Sequence, residues 1–283
     1  MSTPGTSSPG YTTRQWPWLR TVIVGIISNH RPHTCWALAE ADVTEALAGL
    51  RERGRRVRIA LSPHAWAVHC LARAAADHPG VLSYRHGSRL LTFDDADVGS
   101  AIDHRLPNGD RIPVGWIVRG AQHRSLAEIN WDLRRAAKAG LPTDASARAR
   151  RRLATLPAPL RWWGLRRIRT DPRVLRHHHG TIGLTNLQSP GSHAPFWALP
   201  PNLFTVTIAL GSVTERMVPQ RDGTVLPRKI LCLGAGADHA VIDGAPLAAF
   251  AGRFIELLQS AAGIDDQLEA ETKRLLAGAP ARG

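Results

Sequence analysis

Ala237-Asp238-His239-Ala240-Val241-Ile242-Asp243-Gly244-Ala245 joins two differently patterned segments of the chain. It follows an apolar β-type run, Arg228–Gly234, and leads into Asp243–Ser260, where Leu247, Phe250, Phe254 and Leu257 recur at helical spacing. A histidine and an aspartate four positions apart therefore flank a strand-to-helix turn, with glycine where the backbone bends. A histidine held on so rigid a junction suits general-base work, because proton transfer needs fixed geometry. The spacing alone is moderately specific, since the chain has 13 histidines and most histidines serve structure.

Upstream, strand and helix signals alternate without a repeat, which points to a mixed α and β domain. Val43–Gly54 reads as a helix, and Ser62-Pro63 opens a second with a cap residue before proline, running to His78-Pro79-Gly80. Short β-type runs follow at Val81–Tyr84, Arg89–Phe93 and Asp97–Ile102, then a Pro-Asn-Gly-Asp turn at 107–110 and the apolar run Ile112–Val118. Ser125 with Glu128 three residues on forms a capping box, and its helix ends near Lys138-Ala-Gly140. Thr181–Asn186 and Leu203–Gly211 are further strands, and Asp265–Gly278 is a last helix.

With 283 residues, 43% hydrophobic and 21% charged, the composition is globular and long enough for a sizeable core. Cys35, Cys70 and Cys232 are odd in number and never in a CxxC spacing, which excludes a disulfide framework and a zinc knuckle. The longest apolar runs, such as Thr21–Ile27, fall far short of the roughly 20 residues a spanning helix needs. The Ser/Thr/Pro/Gly-rich start, residues 1–13, reads as a disordered tail rather than a signal peptide, and the expected location is cytoplasmic.

Lys+Arg number 36 against 23 Asp+Glu, a net charge of +13, yet only Lys138, Lys229 and Lys273 are lysines. Most of the excess sits between Arg148 and Arg176, where ten arginines face the single acid Asp171 and Trp162-Trp163 is embedded. Such a stretch reads as a solvated helical excursion, a surface for coenzyme A phosphates or an acidic carrier protein, or a basic helix on a membrane. No nucleic-acid motif accompanies it, so no specific nucleic-acid partner is expected. His177-His178-His179, taken as strand, would point to alternate faces and hold no single metal.

Several segments together resemble the catalytic core of the dihydrolipoyl acyltransferases of 2-oxoacid dehydrogenase complexes. They are Arg31-Pro-His33 through Thr44, His78-Pro79-Gly80, Asp97–Ile102, Arg111–Val118 with Ser125–Ile129, Gly180-Thr-Ile-Gly-Leu-Thr-Asn186, and Asp222-Gly223 with Arg228-Lys229 leading into the Asp-His motif. The resemblance implies an α/β fold, an α+β two-layer sandwich like chloramphenicol acetyltransferase, with a mixed sheet and helices on one side. It implies a core over 14–262, with the basic stretch inserted at about 146–178, and a C-terminal helix and tail over 263–283. His239 would be the general base, Thr185 would hydrogen-bond the oxyanion, and Asp243 would support the loop by pairing with Arg14 or Arg20. Coenzyme A or acyl-CoA would be the cosubstrate, with no covalent cofactor and no metal. A homotrimer, in which the histidine of one subunit faces the threonine of its neighbour, follows from the same resemblance.

The chain departs from that family at Ala240, where arginine is usual, and at Gln188, where glycine is usual. None of the three lysines sits in an Asp-Lys hairpin, so the acyl group is expected to arrive on another molecule, such as an acyl carrier or lipoyl protein. Peptide-synthetase condensation domains share the fold, but their His-His-x-x-x-Asp-Gly pattern differs from Asp238-His239 here. The alternative class is a catalytically silent trimer that uses the basic insertion to hold an acidic partner or a membrane.

Overall fold

Caps legible in the sequence start two of the central helices. The computed structural model describes residues 7–8, 11–12, 33–105, 111–138, 152–153, 155–188, 194–201, 203–220 and 222–278. In chain order its main elements are β1 (Thr34–Asp42), α1 (Thr44–Arg56), α2 (Pro63–Asp77), β2 (Ser83–His86), β3 (Arg89–Thr92), β4 (Val98–Arg105) and β5 (Arg111–Val118). They continue with α3 (Leu126–Lys138), α4 (Ala158–Thr170), α5 (Pro172–His179), β6 (Ile182–Asn186), β7 (Val206–Pro219), β8 (Val225–Asp238), α6 (Gly244–Gln259) and α7 (Asp266–Ala277). Ser62 caps α2, its hydroxyl accepting from the Ala65 N–H at 3.4 Å, and Pro63 occupies the first helical position. At α3 the box closes in both directions: Ser125 N–H donates to Glu128 at 2.9 Å, and Glu128 N–H to the Ser125 hydroxyl at 3.3 Å.

Six strands form one mixed sheet in the order β1-β8-β7-β6-β4-β5, while β2 and β3 make a separate hairpin. β6 runs parallel to both β4 and β7; every other pairing is antiparallel. The fold is therefore the expected α/β sandwich around a mixed sheet. Its core lies between the helices and one face of the sheet, where α2 is buried nearly all round and Phe250, Phe254, Leu257 and Leu258 of α6 pack in. Each such phenylalanine contributes roughly 2–3 kcal/mol of hydrophobic stabilisation. Cys70 and Cys232 are buried, Cys35 is half-buried, and all three are free thiols.

The opposite face carries an irregular strap, residues 194–201. It lies so close that a Cβ on Gly234 would meet the Ala198 carbonyl, which explains a glycine in the middle of β8. Phe196 N–H donates to the Ser212 hydroxyl at 2.8 Å, and the Trp197 indole N–H to the Ala39 carbonyl at 3.3 Å.

Three local expectations change. Val81–Leu82 belong to a short 3₁₀ turn over Pro79–Leu82, so the strand starts at Ser83. β7 and β8 run on to Pro219 and from Val225, past the apolar runs, because polar residues pair across them: Arg216 with Glu40 at 2.8 Å and Lys229 with Glu215 at 3.4 Å. His177–His179 close helix α5 rather than a strand. Arg119 explains this: its guanidinium donates to the Arg176 carbonyl at 2.8 Å and to that of His177, satisfying the orphan carbonyls of the last turn. Gly180, at φ 99°, then turns the chain into β6. The turn read at 107–110 lies outside the described residues.

The basic stretch is helical where it is described, as α4 and α5. A buried carboxylate anchors it. Asp97, its side chain 2% exposed, accepts from Arg176 at 2.9 Å, Arg119 at 3.0 Å and the Gly120 N–H at 2.9 Å. Those partners compensate the desolvation of the acid.

Candidate active site

His239 sits in the turn between β8 and α6, held by its backbone. Its N–H donates to the His33 carbonyl at 2.9 Å, tying the turn to the start of β1. The preceding Asp238 is buried and organises the turn. Its N–H donates to the Thr205 carbonyl at 2.9 Å, its carbonyl accepts from Val241 and Ile242 at 2.9 and 3.1 Å, and its carboxylate accepts from the Ala240 N–H at 3.2 Å. The junction is thus fixed from both sides while the His239 side chain remains 53% exposed. A fixed backbone with an accessible imidazole is what a proton-transfer group on a rigid support requires.

Asp243 takes the N-cap position of α6 but makes no side-chain cap bond, and its carboxylate is 87% exposed. Its oxygen lies 3.8 Å from His239 Nδ1, an electrostatic neighbour beyond hydrogen-bond range. Arg14 and Arg20, the expected partners of Asp243, lie outside the described residues.

Thr185 lies on β6, half-buried, on the strap side of the sheet. It pairs with Ala209, and Ala209 with Gly234, five residues before His239 on β8. That register separates the two by roughly 17 Å along the strands, with two strand spacings across. One chain therefore does not bring His239 and Thr185 together.

Sequence reasoning missed the groups that hold the junction, His33, Thr205 and buried Asp238. The Asp-His pair was the available signal for the last, whereas carbonyl contacts from distant residues leave none. Among the described residues no group of three or more His, Cys, Asp or Glu side chains converges on a metal position.

Residues 176–264, which include Thr185, His239 and Asp243, match the family model described as 2-oxoacid dehydrogenases acyltransferase (catalytic domain). Over those residues the chain is similar to an acyltransferase catalytic domain. Solved structures agree on the fold along nearly the whole chain. A probable dihydrolipoamide acetyltransferase from Listeria monocytogenes superposes with a TM-score of 0.66 at 16% identity, covering 90% of this chain and 97% of that one. For the dihydrolipoamide acetyltransferase of Azotobacter vinelandii the values are 0.63 and 18%, covering 91% and 96%. A truncated catalytic core of the 2-oxoacid dehydrogenase multienzyme complex from Thermoplasma acidophilum gives 0.59 and 17%, covering 88% and 99%. No curated protein matches the chain. The acyltransferase-like domain favours an enzyme over the catalytically silent binding protein.

Proposed function

We propose that the chain transfers an acyl group between a thioester, on coenzyme A or a carrier protein, and an acceptor thiol, hydroxyl or amine, at sites shared between copies of a homotrimer. The observation that carries this reading is the His239 junction: an accessible imidazole on a backbone-fixed turn, far from the Thr185 of its own chain. The Azotobacter structure was determined in work on the role of a serine, a histidine and an asparagine in that enzyme's catalytic mechanism. In the proposed reading Thr185, His239 and Asp243 take those places here.

In this scheme His239 Nε2 takes the proton of the acceptor as its thiol, hydroxyl or amine attacks the thioester carbonyl. The carbonyl π electrons move onto oxygen, and the Thr185 hydroxyl of a neighbouring copy donates to that oxyanion, a contact worth roughly 3 kcal/mol. Collapse breaks the carbon–sulfur bond, and the imidazolium returns its proton to the departing thiolate. Asp243, 3.8 Å from Nδ1, takes no proton in this scheme and supports the loop that carries His239.

The test is release of free thiol from a panel of acyl-CoAs, each with candidate acceptors, comparing wild type with His239→Ala. Release that depends on His239 supports the reading. Equal rates for the two proteins with every pair would refute it.

A further inference from the structure

We infer that α4 is a peripheral docking helix for an anionic phospholipid surface, lying on the bilayer with its tryptophans at the headgroup level. The outward side of α4 combines Leu160, Trp162 and Trp163, 56%, 58% and 62% exposed, with exposed Arg166 and Arg167. Leu160, Trp163 and Arg167 follow one another at helical spacing, while Leu165, 7% exposed, faces inward. The Arg166 guanidinium stacks over the Trp162 ring at 5.4 Å, so charge and indole form one surface. Leu156, in the preceding turn, adds further exposed aliphatic area.

Indoles and leucines held out in water beside arginines match the chemistry of a bilayer interface. Indole rings settle among headgroups, aliphatic side chains enter the acyl boundary, and arginines meet lipid phosphates. The sole acid between Arg148 and Arg176 is Asp171, which caps α5 by accepting from the Arg173 N–H at 3.0 Å and offsets one of the ten arginines there. Other occupants fit less well. Nucleic acid would use the rings and the charge but leave the leucines in water, and a second copy seated face to face on α4 would set arginine against arginine. No described helix is long and apolar enough to span a membrane, so the contact is with the surface. The Arg176–Asp97 pair fixes α5, against which α4 packs, and so gives the docking helix a rigid base.

The inference goes beyond acyl transfer, and its test needs no turnover, so its failure is distinct from failure of the catalytic reading. The full chain is sedimented with vesicles of phosphatidylcholine alone or with about 30% phosphatidylglycerol. Binding is expected to the anionic vesicles, falling about tenfold for Trp162→Ser with Trp163→Ser, and becoming less salt-dependent for Arg166→Gln with Arg167→Gln. Matching melting temperatures and light-scattering masses establish that the variants remain folded with unchanged assembly. Any of four outcomes overturns the inference: no binding to anionic vesicles, equal binding by the double tryptophan variant, an altered mass for that variant, or tryptophan-dependent binding of a single-stranded oligonucleotide in place of vesicles.

Discussion

The junction at His239 and the basic excursion of α4 and α5 are built on opposite plans. At the junction the backbone is bonded on both sides, through His33 and Thr205, and one imidazole is left in solvent. In the excursion a single buried carboxylate, Asp97, clamps the base of the segment through Arg176 and Arg119, and a whole helical surface of rings and guanidinium groups is left outside. A precisely placed atom needs a fixed loop, whereas a charged surface needs only a firm footing. Substitutions in the two regions should therefore separate activity from stability and surface binding.

The largest separation is expected at His239→Ala, which should lower acyl transfer about a thousandfold while the melting temperature stays unchanged. A comparable drop in melting temperature would erase the distinction. Arg176→Ala should do the reverse. It leaves Asp97 buried with one partner fewer and should cost about 3 kcal/mol of unfolding free energy by urea titration. Thr185→Val should lower acyl transfer about a hundredfold, with little effect on urea stability.

A smaller effect concerns pH. Burial pushes His64 down to about 4; its Nε2 contacts the Ser100 hydroxyl at 2.7 Å, and its Nδ1 has no partner among the described residues. Because the folded-state value is depressed below the ordinary 6.5, the unfolded chain binds more protons between about pH 4 and 6.5. Stability contributed by neutral His64 is thus present above 6.5 and lost as pH falls toward 4, by up to about 3 kcal/mol. His64→Asn should flatten the decline of the urea midpoint between pH 7 and 4.5, and an unchanged slope would remove His64 as its cause. His69 is likewise held near 4 by burial, so part of the slope should persist in that variant.

The sequence was legible wherever structure is local. Ser62-Pro63 and the Ser125–Glu128 box announce their helices because a cap is made by residues three apart. The α6 face was legible for a similar reason, as Leu247, Phe250, Phe254 and Leu257 repeat with the helix period. Residues 194–201 gave no periodic signal, since the strap lies against Gly234, which is distant in the chain. The triple histidine was misread because its helix is completed by Arg119, a distant donor. At the candidate site, His239 could be read from its motif and Thr185 from resemblance. Their separation emerged only from strand register, to which no single segment points.

Whether His239 and Thr185 of different copies meet is tested by co-expression of His239→Ala and Thr185→Val chains, each inactive alone. If the site is shared between copies, randomly mixed assemblies regain about one quarter of wild-type acyl transfer, because each mutant supplies the group its neighbour lacks. Mixed assemblies that remain inactive, with mixing verified by mass, would contradict a site built from His239 of one copy and Thr185 of the next.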